Sequence, residues 1–119
     1  MWVYEQVSGK LSLAGKLIGV GYSGCGEGKN KPAFECIPDV GPIPRGRYQI
    51  GAAFSDPEKG PLVMRLTPEL QTETFSRDGF EMHGDSLKEP GNASLGCIVI
   101  DHSARLQVAE SAGRILWVV

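Results

Sequence analysis

Residues 2–13 read WVYEQVSGKLSL. Trp2 to Val7 and Leu11 to Leu13 alternate apolar with polar side chains around Ser8-Gly9-Lys10, the two-residue period of half-buried strands joined by a tight turn. The chain therefore starts as a β-hairpin with one face in the core. Leu17 to Tyr22 continues in the same style. Residues 41–54, GPIPRGRYQIGAAF, set two prolines of fixed φ together with Gly41 and Gly46 ahead of a new alternation. This predicts a rigid turn that delivers Tyr48, Ile50 and Ala52 to one side of a strand. LVMRLT at 62–67, GFEMHG at 79–84 and CIVI at 97–100 are further short strand patterns, and RILWVV closes the chain as another. Only DHSARLQVAESAG has helical character, with Asp101 as cap, Leu106, Ala109 and Ala112 on one face, and Gly113 where a helix would end. The expected fold is mainly β: a small antiparallel sandwich or barrel-like sheet with one short C-terminal helix, in a single domain over residues 1–119.

Composition agrees with that reading. Sixteen glycines and eight prolines in 119 residues make a turn-rich chain, while 41% hydrophobic content is ample for a packed core, which excludes both a helical bundle and a disordered chain. Twelve basic and fourteen acidic residues leave a net charge of −2, so no electrostatic grip on nucleic acid or an anionic membrane is expected. Glu5, Gln6 and Lys10 interrupt the N-terminal apolar residues, so neither a secretory signal nor a membrane span is predicted. Three cysteines, Cys25, Cys36 and Cys97, are an odd number without CxxC spacing, and no structural zinc site or other cofactor is expected. Cys25 and Cys36 lie eleven positions apart across a glycine-rich loop and are readable either as a disulfide or as two free thiols. That loop, Gly21 to Pro38, is readable either as a flap over a cleft or as a surface excursion.

The chemistry concentrates in residues 82–100, MHGDSLKEPGNASLGCIVI. His83 ends a strand pattern, Gly84 follows it, and Cys97 stands fourteen positions further on. A thiolate attacks carbonyl carbon far faster than a thiol, and an adjacent imidazole takes the thiol proton and returns it to a leaving amine. Gly96 lets the backbone before the nucleophile approach a substrate and turn N–H groups toward an oxyanion, and Ser94 is placed to hydrogen-bond in the same turn. The plainer reading is an inert buried cysteine opening CIVI and a histidine at an exposed strand end. His83, Asp85, Cys97 and His102 lack ligand spacing on a regular element, so no metal is assigned to them.

SLGC with an upstream HG resembles the signature of the L,D-transpeptidase (YkuD-like) family, bacterial cysteine enzymes of peptidoglycan. PRGRYQI is similar to the Pro-x-Gly-x-Phe/Tyr turn upstream of the catalytic segment in that family. The compact length, the GPIP lead-in and the S-x-G-C form resemble more particularly the L,D-transpeptidase-like effectors delivered between bacteria by type VI secretion. The resemblance covers about Gly41 to Ile100.

Position by position, the resemblance implies Cys97 as nucleophile, His83 as general base and acid, and the Gly84 carbonyl as the group that orients the imidazole. Ser94 and Gly96 would shape the oxyanion turn. Tyr48, Arg45, Arg47 and Arg77 are the substrate-binding candidates, the arginines because Val99 stands where an arginine or asparagine often follows the cysteine. Leu95 stands where many members carry histidine. The implied activity is acyl transfer on peptidoglycan stem tetrapeptides, as L,D-carboxypeptidase, D-amino-acid exchange or transpeptidation. The implied setting is synthesis in the cytoplasm, action in a target cell's periplasm, and a cognate immunity protein as partner. The same residues also fit a non-catalytic peptidoglycan-binding or phage structural module, or an unrelated Cys-His amidase or peptidase.

Overall fold

In the computed structural model, which describes residues 1–119, the N-terminal alternation forms β1 (Trp2–Tyr4) and β2 (Lys10–Leu13), paired antiparallel with Trp2 opposite Leu13. β3 (Lys16–Val20) extends the hairpin, and β4 (Tyr22–Ser23) follows after one residue. Two single 3-10 turns, Gly26–Gly28 and Pro32–Phe34, lead to β5 (Gly46–Ile50), β6 (Phe54–Asp56) and β7 (Gly60–Pro68). β8 (Glu81–His83), β9 (Ile98–Val99), α1 (His102–Glu110) and β10 (Ile115–Val118) complete the chain.

The strands make one sheet in the order β3-β2-β1-β10-β5-β7-β8-β9-β4, with β6 attached to β7. The mainly β reading with one short helix holds. Pairing is antiparallel except for β1 with β10 and β8 with β9, which run parallel. Each parallel pair is joined by a connection long enough to bring the chain back in the same direction, which a short hairpin turn cannot do. The two ends of the order, β3 and β4, are separated in sequence only by Gly21. The sheet therefore curls until its edges approach, yet they share no ladder and it stays open. Gly21 is the hinge of this step: a side chain there would stand 2.1 Å from the Val99 carbonyl oxygen.

Inside the curl lie Trp2, Tyr4, Tyr48, Met64, Met82 and Leu116, all without solvent exposure. Burying each of these large side chains stabilises the fold by about 1.5–3 kcal/mol. Asp101 caps α1, its Oδ1 accepting the Ala104 N–H at 2.8 Å. The buried helix face is not the expected one. Ala104, Arg105 and Val108 point inward, whereas Leu106 and Ala112 are exposed. The Arg105 guanidinium fits inside because backbone carbonyls receive it: Nε donates to Ile100, and one terminal nitrogen donates to Pro61 at 2.9 Å and Leu62 at 3.0 Å. β5 also ends earlier than expected, at Ile50, leaving Ala52 exposed.

The glycine-rich segment is tied down by backbone hydrogen bonds in this conformation. Cys25 N–H donates to Val40 O, Asn30 N–H to Ser23 O, and Gly24 N–H to Ser94 Oγ. Gly28 and Gly41 pack so closely on backbone that an added Cβ would collide with Val40 and Phe34 carbonyls. Cys25 and Cys36 are free thiols. No helix is long and apolar enough to cross a membrane.

Candidate active site

The β8–β9 pairing brings the two ends of the HG…SLGC segment together. Met82 registers with Ile98 and His83 with Val99. Side chains alternate across a sheet, so Met82 and Ile98 enter the core while Glu81, His83 and Val99 project from the opposite face. Cys97 directly precedes β9, so the parallel register brings it level with Glu81, two residues before His83 on the neighbouring strand.

His83 is 3% exposed, and its Nδ1 lies 2.8 Å from the Gly84 carbonyl oxygen. A carbonyl only accepts, so Nδ1 carries the proton and Nε2 keeps its lone pair in the neutral ring. Burial, aided by the charges of Lys59 and Arg105, lowers the imidazole pKa against the raising effects of Gly84 and Glu81. The ring is accordingly a neutral base around pH 7. Cys97 is half-buried, its sulfur 3.7 Å from the Gly79 carbonyl. Burial raises the thiol, and the opposing influence of Lys59, the Glu81 backbone N–H and Arg77 does not overcome it. The resting pair is thus thiol and neutral imidazole, not the ion pair that an adjacent histidine first suggests.

Ser94 is fully buried at the centre of the nucleophile turn. Its Oγ donates to Cys97 O at 2.6 Å and accepts from Gly24 N–H at 2.9 Å and Gly96 N–H at 3.1 Å. The Gly96 amide is thereby occupied within the turn and does not itself face an oxyanion. What Gly96 supplies is space, at φ +132°, where a Cβ would stand 2.3 Å from an Arg77 terminal nitrogen.

The substrate-binding candidates are placed differently from expectation. Tyr48 is 0% exposed, its hydroxyl donating to Pro44 O at 2.7 Å and its ring packed edge-on against Phe80. It is a core residue out of reach of any substrate. Arg45 pairs with Glu35 at 2.7 Å, and Arg47 pairs with Glu69 at 3.3 Å beside the Trp117 ring. Arg77 is buried against backbone carbonyls from residues 35 to 42. None of these three arginines lines the cavity next to His83.

That cavity, of about 1120 Å³, is bordered by His83, Gly84, Asp85, Lys59, Lys88 and Arg105, among others. Lys59 and Arg105 reach it from the β6–β7 turn and from α1, and sequence spacing gave no sign of either. Tyr22 pins the loop between His83 and Cys97: its hydroxyl donates to Asp85 Oδ1 at 2.6 Å and accepts the Ala93 N–H at 2.9 Å. Burial first, then the Asp85 bond, pushes the phenol up to about 12, so it stays a donor at physiological pH.

A family model described as the Tlde1 domain matches residues 19–118, which includes every residue of this site. No curated protein matches the chain.

Proposed function

The chain belongs to the Tlde1 domain family, a family of type VI secretion effectors, and from that premise we propose that it is a cysteine acyltransferase acting on peptidoglycan stem tetrapeptides. Residues 1–119 are taken as one L,D-transpeptidase-like catalytic domain, made in the cytoplasm, acting in the periplasm of a target cell and held in check by a cognate immunity protein.

One observation carries the reading: the His83 imidazole, with Nδ1 committed to the Gly84 carbonyl, stands on the strand that pairs with the one Cys97 leads into. In the reaction, sulfur attacks the carbonyl carbon of the diamino acid at stem position three as Nε2 takes the thiol proton. The resulting imidazolium gives that proton to the amine of the terminal D-alanine as the carbon–nitrogen bond breaks, leaving a thioester on Cys97. Water then yields the shortened stem, a free D-amino acid exchanges the terminus, and the side-chain amine of a second stem yields a cross-link. Because both groups rest neutral, proton transfer and attack are coupled, and burial that disfavours a free thiolate does not block the step. The Arg105 terminal nitrogen that donates to no carbonyl sits over Gly84, and with Lys88 it supplies positive charge for a substrate carboxylate.

The test is digestion of purified tetrapeptide muropeptides followed by mass analysis. Release or exchange of the terminal D-alanine, or stem dimers, supports the proposal. Unchanged tetrapeptides, or whole stems detached from the sugar as an amidase would leave them, refute it.

A further inference from the structure

The turn between β6 and β7 is built to present one side chain. Asp56 Oδ1 accepts the backbone N–H groups of Glu58 at 2.8 Å and Lys59 at 2.9 Å, and Gly60 completes the turn at φ +86°. From there the Lys59 ammonium reaches over the sheet and forms an ion pair with the Glu81 carboxylate. Lys59 and His83 border the same cavity. Glu81 precedes His83 by two residues on β8, and the register that sets Met82 beside Ile98 sets Glu81 beside Cys97. A carboxylate only 9% exposed therefore stands next to the atom that must become anionic during acyl transfer. On its own it would oppose that charge, because like charges at short range disfavour ionisation.

We propose that Lys59 is the charge-compensating residue of the acyl-transfer site: its ammonium neutralises Glu81, so that negative charge can develop on the Cys97 sulfur while His83 holds the proton. Glu81 in turn fixes where the ammonium stands. The inference rests on the acyl-transfer reading for its role in turnover, though its effect on the thiol does not require a substrate. The electrostatic directions agree with the geometry. After burial, which raises the thiol, Lys59 is the strongest influence pulling it down, whereas the Glu81 charge pushes it up. Burial lowers Lys59 itself, and the Glu81 bond together with the charges of Glu81 and Asp56 opposes it and keeps the ammonium protonated. The remaining charged groups facing the pair are Arg77 toward Cys97, and Arg105 and Asp56 toward His83.

The pair predicts shifts of opposite sign. In the full chain, iodoacetamide labelling of Cys97 is followed against pH by peptide-resolved mass spectrometry, with Cys25 and Cys36 as internal references. Lys59→Met raises the Cys97 midpoint by about one pH unit or more, Glu81→Gln lowers it, and Lys59→Arg stays near the parent. An unchanged midpoint in Lys59→Met, or a shift of the same sign in both variants, overturns the proposal. Should Glu81→Gln fail to fold, Lys59→Met at the exposed turn decides alone. Labelling needs no peptidoglycan, so a failed muropeptide digestion leaves this test standing. In turnover, Lys59→Met lowers kcat more than it raises KM. A rise in KM alone would make Lys59 a substrate anchor and also overturn the assignment.

Discussion

Replacing Arg77 by methionine tests how the nucleophile turn is held. The arginine is 8% exposed and donates from one terminal nitrogen to Glu35 O at 2.5 Å and Pro42 O at 2.9 Å, and from the other to Gly41 O at 3.1 Å and, more weakly, Leu95 O at 3.4 Å. Methionine keeps an apolar stem but removes every donor and the guanidinium that stands 5.5 Å from the centre of the Phe80 ring. A hydrogen bond from a charged group contributes about 1.5–3 kcal/mol, so the two fully buried acceptors, Gly41 and Pro42, together account for about 3–6 kcal/mol. Burial of the guanidinium, which lowers its pKa, is relieved in the variant and offsets part of this. The net loss is about 3–4 kcal/mol, a large fraction of the total stability of a domain this size. In urea, with a slope of about 2 kcal/mol per molar, the midpoint should fall by roughly 1.5–2 M at unchanged slope. Arg77→Lys should recover less than half of the loss, since one ammonium cannot span the carbonyls that the planar fork reaches. A loss below about 1 kcal/mol in Arg77→Met would refute the reasoning, because those carbonyls would then have other partners.

Cys97→Ala should abolish product formation in the muropeptide assay with an unchanged circular dichroism spectrum, and His83→Ala should reduce the rate nearly as far because the two act as one unit; activity retained in Cys97→Ala would place the chemistry elsewhere. Because burial depresses the His83 pKa in the folded state, its contribution to stability is complete above the ordinary value of about 6.5 and is lost as pH falls through the lower folded value. Urea midpoints measured from pH 7 to pH 5 should therefore drop more steeply for the parent than for His83→Gln, and equal slopes would contradict the assignment. Tyr22→Phe removes the hydroxyl that ties Asp85 to Ala93. It should lower stability by about 1–2 kcal/mol and speed proteolysis within residues 86–92, and unchanged cleavage there would show that the loop is held by other contacts.

The strands that sequence alone reveals are those whose pattern is local. WVYEQVSGKLSL, GRYQI, LVMRLT and RILWVV each alternate over enough residues to declare one buried face, and each forms a strand. β6 has three residues and owes its form to β7, so no period announces it. The two parallel pairs are equally hidden, since strand direction depends on where a long connection returns rather than on the strand's own residues. The helix misleads for a chemical reason. Amphipathic patterning assigns arginine to solvent, but Arg105 is drawn inward by carbonyls that exist only once residues 61, 62 and 100 have come together.

The same distinction separates what could be read of the site from what could not. His83, Gly84, Ser94 and Cys97 lie within fifteen residues, and the permissive glycines around them mark where backbone must come close, so their association is visible in one short segment. The charges that govern them are contributed from elsewhere in the chain: Lys59 by a hairpin turn, Arg105 by the helix, Arg77 by the connector before β8. Whether an arginine reads a substrate, pairs with a carboxylate or clamps carbonyls is decided by acceptors brought in through the fold, which is why Arg45, Arg47 and Arg77 all looked alike as residues and differ completely in place. Burial then sets the protonation states, raising the thiol and lowering the imidazole in the same stroke. A cysteine and a histidine brought together from one short segment suggest a standing ion pair. Burial of each group makes the neutral pair the resting state and leaves charge separation to the moment of attack.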